Sequence, residues 1–271
     1  MTEELYFRIL KTGVRLNFHD FMERPVAFYP ACEKIGKIPD IDVHFCRSTV
    51  SGIKKLKVAD TVKEMGKARG RLFCLVYDIR KRRTCCYFEK GLSLEVAVNH
   101  AVNKSFLAYQ SVLDIIFLHT ASVIIGGKVY LFTAPQGGGK TTLSSLAREE
   151  GGFEVMDDES CVVKKVGGRF YAGKFPCFMP KTVKYREWEV GGIFFLNKSD
   201  ENRVRPIPVL EAVRRALPEA VVFYRKPALG LKKTDYVRNV LGFLDAMFDK
   251  LDFRLVDFKK TGGIFKCLAI K

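Results

Sequence analysis

The sequence predicts an α/β fold with a small, mostly β N-terminal domain, and three observations carry that expectation. Strand-like runs alternate with helix-like stretches through the second half of the chain, the texture of an α/β core. A glycine-rich segment, Ala134-Pro135-Gln136-Gly137-Gly138-Gly139-Lys140-Thr141-Thr142, follows an apolar run at Val129 to Phe132 and opens a helix-forming stretch at Thr142 to Ala147. The N-terminal part instead alternates short apolar runs with polar, proline and glycine breaks. The change of texture places the expected domains at residues 1–108 and 109–271.

In order along the chain, Tyr6 to Leu10, Ile41 to Phe45, Leu72 to Val76 and Thr84 to Phe88 read as N-terminal strands. Leu94 to Ser111 turns helical, its apolar surface supplied by Val96, Val98, Ala101, Val102, Phe106 and Leu107. Phe117 to Ile125 and Lys128 to Ala134 are strand-like and flank Gly126-Gly127, the composition of a two-residue hairpin turn. If Ile125 faces Lys128, then Val123 faces Tyr130, Ala121 faces Phe132, and His119 faces Ala134. An antiparallel hairpin entering a glycine-rich loop differs from the Ras-like and RecA-like nucleotidases, whose loop-bearing strand lies among parallel neighbours.

After the loop helix, Gly151-Gly152 reads as a helix end and Phe153 to Met156 as a strand that closes in Asp157-Asp158-Glu159. Adjacent carboxylates repel, so three at a strand end suit a place where a metal or a reacting hydroxyl needs them. Cys161 to Val166 and Arg169 to Phe175 flank Gly167-Gly168 as a second hairpin, and Phe175 to Pro180 reads as a loop. Gly192 to Leu196 reads as a buried strand, Val209 to Ala216 as a short helix, Tyr236 to Leu251 as a longer one, and Phe253 to Asp257 as the last strand.

At 271 residues and 48% hydrophobic content, the chain can bury a sizeable core. No basic head joins an apolar N-terminal run, and Val112 to Gly127 is broken by Asp114 and His119, so the expectation is a cytoplasmic protein without a membrane span. Eight cysteines are scattered without C-x-x-C or zinc spacing, which predicts reduced thiols, with Cys85-Cys86 as strand filling. The net charge of +16 concentrates between Lys54 and Lys104, including Arg80-Lys81-Arg82-Arg83. That run sits between two strand-like segments, where a solvated hairpin tip explains it. No aromatic pattern of an RNA-binding module accompanies it, so nucleic acid is disfavoured as a partner.

The glycine-rich segment matches a phosphate-binding loop except at Ala134, which holds the place of the first glycine. Three glycines let the backbone amides turn inward to a polyphosphate, Lys140 reaches the terminal phosphates, and the Thr141 hydroxyl suits Mg²⁺. Gly138-Gly139-Lys140-Thr141-Thr142-Leu143-Ser144 with Asp157-Asp158-Glu159 resembles the paired motifs of the phosphoenolpyruvate carboxykinase and HPr serine kinase superfamily. Leu118-His119-Thr120-Ala121-Ser122, a glycine hairpin and then the loop are similar to HPr-kinase-related proteins in particular, over residues 109 to 200. The chain departs from that pattern at Ala134, at Gln136 and in the loose match of Glu187 to Ile193, and it shows no equivalent of the carboxykinase arginine cluster.

The resemblance implies a P-loop kinase core of the HPr kinase/carboxykinase type that binds ATP and Mg²⁺. In that reading Gly137, Gly138, Gly139, Lys140, Thr141 and Thr142 bind the phosphates, and Thr141 and Asp158 hold the metal. Asp157 is the general base, and His119 contacts the transferred phosphoryl group or is structural. The implied activity is ATP-dependent transfer of the γ-phosphoryl group to an alcohol hydroxyl, most readily serine of a peptide, a protein or a small molecule. Arg203, Arg205 and Lys174 are candidate clamps without a motif behind them. Self-association is left open. The alternatives are a nucleotide-binding regulatory module without catalysis and a nucleic-acid-associated P-loop NTPase.

Overall fold

The computed structural model describes residues 2–19, 39–55, 62–149, 153–174, 186–221 and 233–268. Gly151-Gly152, the expected loop at Phe175 to Pro180, Cys32 and Cys177 lie outside them. The chain divides into two compact units, one running to Leu113 and the other starting at Asp114.

The first unit comprises β1 (Thr2–Ile9), β2 (Thr12–His19), β3 (Ile41–Ser48), α1 (Val50–Lys55), β4 (Val62–Ala68), β5 (Arg71–Asp78), β6 (Arg83–Glu89) and α2 (Leu94–Leu113). The strands form one six-stranded sheet in the order β1-β2-β3-β6-β5-β4, parallel at β2–β3 and β3–β6 and antiparallel elsewhere. Alternation sorts the side chains: Leu16, Phe18, Val43, Phe45, Cys86 and Phe88 are buried. Two strands went unforeseen, β2 and β4. The β1–β2 turn is made by Leu10 and Lys11, both at positive φ (48° and 54°), without the glycine that usually marks such a turn.

On the opposite face of β2 and β3, Asp42 is 5% exposed and heavily partnered. Arg15 donates to both of its carboxylate oxygens (3.0 and 2.9 Å), Asn17 donates to Oδ1 (2.6 Å), and His44 Nε2 lies 3.1 Å from Oδ2. Burial pushes this carboxyl up, but the hydrogen bonds from His44 and Arg15 outweigh it and hold the group well below the usual carboxylate range. The Arg80–Arg83 run forms the β5–β6 tip, where Arg80 and Lys81 are exposed while Arg83 pairs with Asp42 at 3.4 Å.

The second unit is mixed α/β. Its elements are β7 (Ile115–Leu118), β8 (Thr120–Ile125), β9 (Lys128–Thr133), α3 (Lys140–Glu149), β10 (Glu154–Asp157), β11 (Cys161–Val166), β12 (Arg169–Lys174), β13 (Glu187–Lys198), β14 (Arg203–Pro206), α4 (Val209–Val221), α5 (Lys233–Phe248), β15 (Asp252–Phe258) and α6 (Ile264–Cys267). Strand β9 pairs antiparallel with β8 and parallel with β13, which pairs parallel with β15. Because β10 is antiparallel to β8, it runs in the same direction as β9. The C-terminal ends of β10, β9, β13 and β15 therefore share one edge of the sheet, where ligands of α/β proteins collect.

Strand β9 shows why helices cover both faces. Val129 and Leu131 enter one apolar cluster with Ala212, Ala216, Val240 and Leu244 of α4 and α5. Tyr130 and Phe132 enter another with Leu143 and Ala147 of α3 and Ile264 of α6. A fully buried Leu or Phe of this kind contributes about 1.5–3 kcal/mol. Among the described residues no helix is long and apolar enough to cross a membrane.

The Gly126-Gly127 hairpin forms in the expected register, with Ile125 facing Lys128, Val123 facing Tyr130 and Ala121 facing Phe132. It stops one pair short of the expected His119–Ala134 pair, ending at Thr120 and Thr133. The expected strand from Phe117 to Ile125 is two strands. Leu118 pairs with Cys161 of β11, whereas Thr120 pairs into β9, and His119 stands in the break between the two ladders.

Candidate functional site

The glycine-rich loop connects β9 to α3 at the shared strand edge. Gly137 and Gly139 adopt φ of +73° and +104°, a region that a side chain enters only at a cost. Gly138 is required for a different reason. A Cβ there would lie 2.5 Å from the Ala134 Cβ and 2.9 Å from the Pro135 carbonyl, which accepts the Gly138 N–H at 2.9 Å. Ala134 is not among the residues at positive φ, and its methyl joins the core of Phe132 and Leu143. Loss of the first glycine therefore costs this loop no backbone strain.

Lys140 begins α3 with a side chain only 7% exposed. Its Nζ donates to the Ala134 carbonyl, lies 3.5 Å from the Pro135 carbonyl, and is 3.9 Å from Glu219 Oε2. Burial lowers its pKa, and the Glu219 charge opposes that shift. The Nζ hydrogen-bonds only neutral carbonyls of its own loop, with Glu219 at the outer edge of ion-pair distance, and a phosphate oxygen is a stronger hydrogen-bond partner than a carbonyl.

His119 extends from the break between β7 and β8, its backbone N–H donating to the Glu219 carbonyl at 3.0 Å. Its Nδ1 lies 2.9 Å from Glu219 Oε2, and Glu219 itself is 8% exposed. A carboxylate accepts only, so in the neutral imidazole this contact places the proton on Nδ1 and leaves Nε2 as the acceptor. Sequence reading missed Glu219 because it ended the helix at Ala216, before Pro218. The helix continues through that proline to Val221, and the additional turn carries the glutamate.

The carboxylates at the end of β10 divide by position. Asp157 Oδ1 accepts the backbone N–H groups of Glu159 (2.9 Å) and Ser160 (3.1 Å), and its Oδ2 lies 3.3 Å from Lys174. It holds the turn, as Asp does in an Asx-turn. Asp158 and Glu159 face the loop instead. Among the described residues no cluster of three or more His, Cys, Asp or Glu forms a ready metal cage. Mg²⁺ is commonly held by one or two carboxylates and the substrate's phosphates, so the Thr141 hydroxyl with Asp158 suits it.

These groups enclose a cavity of about 400 Å³. Gly137, Gly138, Gly139, Lys140, Thr141 and Thr142 line it, and so do His119, Asp158 and Glu159. Of the residues given a catalytic, phosphate or metal role by the resemblance, Asp157 alone is off the cavity lining. The candidate clamps are absent from the lining as well. Arg205 pairs with Asp257 at 2.9 Å, Lys174 with Asp157, and Arg203 faces Asp257 across the β14–β15 ladder. Lys260, which sequence reading did not single out, lines the cavity from the turn after β15.

Beneath the site Cys161 is completely buried, and burial pushes its thiol up to about 12, against the hydrogen bond from Thr120. Such a thiol packs and does not react. The six described cysteines that the structure assigns are all free.

No family model matches the chain, and no curated protein matches it. Among solved structures, the HPr(Ser) kinase/phosphatase from Coxiella burnetii is similar at 15% sequence identity and a TM-score of 0.25, over 34% of this chain and 77% of that one. At that TM-score the likeness carries no argument about this chain.

Proposed function

We propose that the cavity binds ATP with Mg²⁺ and that the chain transfers the γ-phosphoryl group to an alcohol hydroxyl, serine of a peptide, a protein or a small molecule. The observation that carries this reading is one 400 Å³ cavity that unites the loop glycines, Lys140, Thr141, two carboxylates and an oriented histidine. Phosphoryl transfer is chiefly positioning and charge neutralisation, and these residues supply both. The loop amides and the N-terminus of α3 receive the phosphates, while Lys140 leaves its carbonyl partners for them. Thr141 and Asp158 are the proposed Mg²⁺ ligands; bound there, the ion would neutralise charge on the transferring group.

For the proton of the acceptor hydroxyl, the geometry favours His119. Its Nδ1 is held by Glu219 and its Nε2 is left to accept a proton, whereas both Asp157 oxygens are engaged and off the cavity lining. Asp157 supports the turn that presents Asp158. The test compares His119→Gln with Asp157→Asn in a transfer assay. Loss of kcat at His119 with ATP binding retained supports the assignment; loss confined to Asp157 moves the base role there.

A further inference from the structure

We propose that Lys260 is a second cation on the nucleotide's phosphates, delivered from the flank of the sheet opposite Asp158 and Glu159. This rests on the nucleotide-binding reading above. Strand β15 lies two positions from β9 on the side away from β10, so its C-terminal turn reaches the loop from the flank opposite Asp158 and Glu159. The approach is close: a Cβ on Gly139 would lie 3.1 Å from the Phe258 ring at the end of β15.

Two residues beyond Phe258, the turn is clamped from a neighbouring segment. Asn202 Oδ1 accepts the Lys259 N–H at 2.9 Å, and its Nδ2 donates to Thr261 Oγ1 at 2.8 Å. Lys260 lies between these two fixed points at φ +60°, a backbone region that a lysine adopts at a cost. The clamp holds the strained residue where it lines the cavity. Among the described residues Lys260 has no ion-pair partner. A magnesium nucleoside triphosphate retains negative charge that Lys140 alone does not neutralise, and Lys260 supplies the missing positive charge. Because it comes from the side away from Asp158 and His119, it acts on binding more than on the chemical step.

The experiment measures ATP binding by calorimetry with Mg²⁺ for the wild type, Lys260→Gln, Lys260→Arg and Lys259→Gln. Loss of a charge-assisted phosphate contact weakens binding about tenfold for Lys260→Gln, and Lys260→Arg restores most of it. Lys259→Gln removes the same charge from the same turn but not from the cavity lining, and it leaves affinity unchanged. Asn202→Ala weakens binding in the wild type and adds nothing in the Lys260→Gln background, because it acts through Lys260. Equal losses at Lys259 and Lys260 would reduce the effect to bulk charge and overturn the proposal, as would unchanged affinity in Lys260→Gln. A wild type that binds no nucleotide overturns the site reading together with this inference.

Discussion

A histidine whose Nδ1 is held by a buried carboxylate has one nitrogen left for chemistry, and in this chain that nitrogen belongs to a cavity-lining residue. His119→Gln is expected to lower kcat about 100-fold while ATP affinity changes little, since general-base contributions of that order are typical. Glu219→Gln lowers kcat less, because it loosens the imidazole without removing it; single-turnover rates beside equilibrium binding separate the two effects. In the first unit, Asp42 makes the corresponding structural case. Removing one partner of a buried, hydrogen-bonded ion pair costs about 3–5 kcal/mol, so Asp42→Asn lowers the unfolding free energy of that unit by that order. The Asp42 carboxyl is depressed in the folded state, so its stabilising contribution is full above the ordinary carboxylate range and is lost as pH falls through and below it. Denaturant melts of wild type and Asp42→Asn across acidic pH should converge as that contribution disappears; parallel curves would contradict it.

The glycine-rich loop is held in shape by contacts within itself, and a methyl group is enough to disturb it. Gly138→Ala forces its Cβ against Ala134 and the Pro135 carbonyl, so the curl opens and ATP binding weakens about tenfold or more. The melting temperature moves little, because the strain is confined to a surface loop, and a large drop in stability with binding intact would refute this account of Gly138. What the sequence revealed at this scale followed its punctuation. Gly126-Gly127 and Gly167-Gly168 all adopt positive φ, and both hairpins were legible, the first with its register from Ile125–Lys128 to Ala121–Phe132. The Leu10-Lys11 turn has the same backbone sign without glycine, so β2 was invisible. The expected helix stops at Ala216, whereas the real one runs through Pro218 to Val221, and Glu219 lies in that unforeseen turn. The break at His119 depends on one chain leaving the ladder of β11 for that of β9, a choice made by strands distant in sequence. The loop and the acidic run were legible because their chemistry is local. The His119–Glu219 pair and the Lys260 turn were not, because each is assembled across long separations.

At the scale of the molecule, the proposed nucleotide site would couple ligand binding to the stability of the second unit. A ligand that binds only the folded state at 100 times its dissociation constant stabilises it by about 2.7 kcal/mol. Saturating ATP with Mg²⁺ should therefore raise the melting temperature of that unit by about 5–10 °C, with Lys140→Ala abolishing the shift. The net charge of +16 is what remains after every acid is set against a base, so internal pairs such as Arg15–Asp42, Arg83–Asp42 and Arg205–Asp257 order particular side chains without reducing it. A nucleic-acid-driven NTPase would instead show hydrolysis stimulated by DNA or RNA and binding that falls steeply with salt. The most direct test of the central claim is transfer from γ-labelled ATP, with Mg²⁺, to serine peptides and small alcohols. We predict label on an acceptor hydroxyl, lost in Lys140→Ala and His119→Gln. Tight ATP binding with label remaining entirely on ATP, or released only as phosphate when nucleic acid is added, would contradict it.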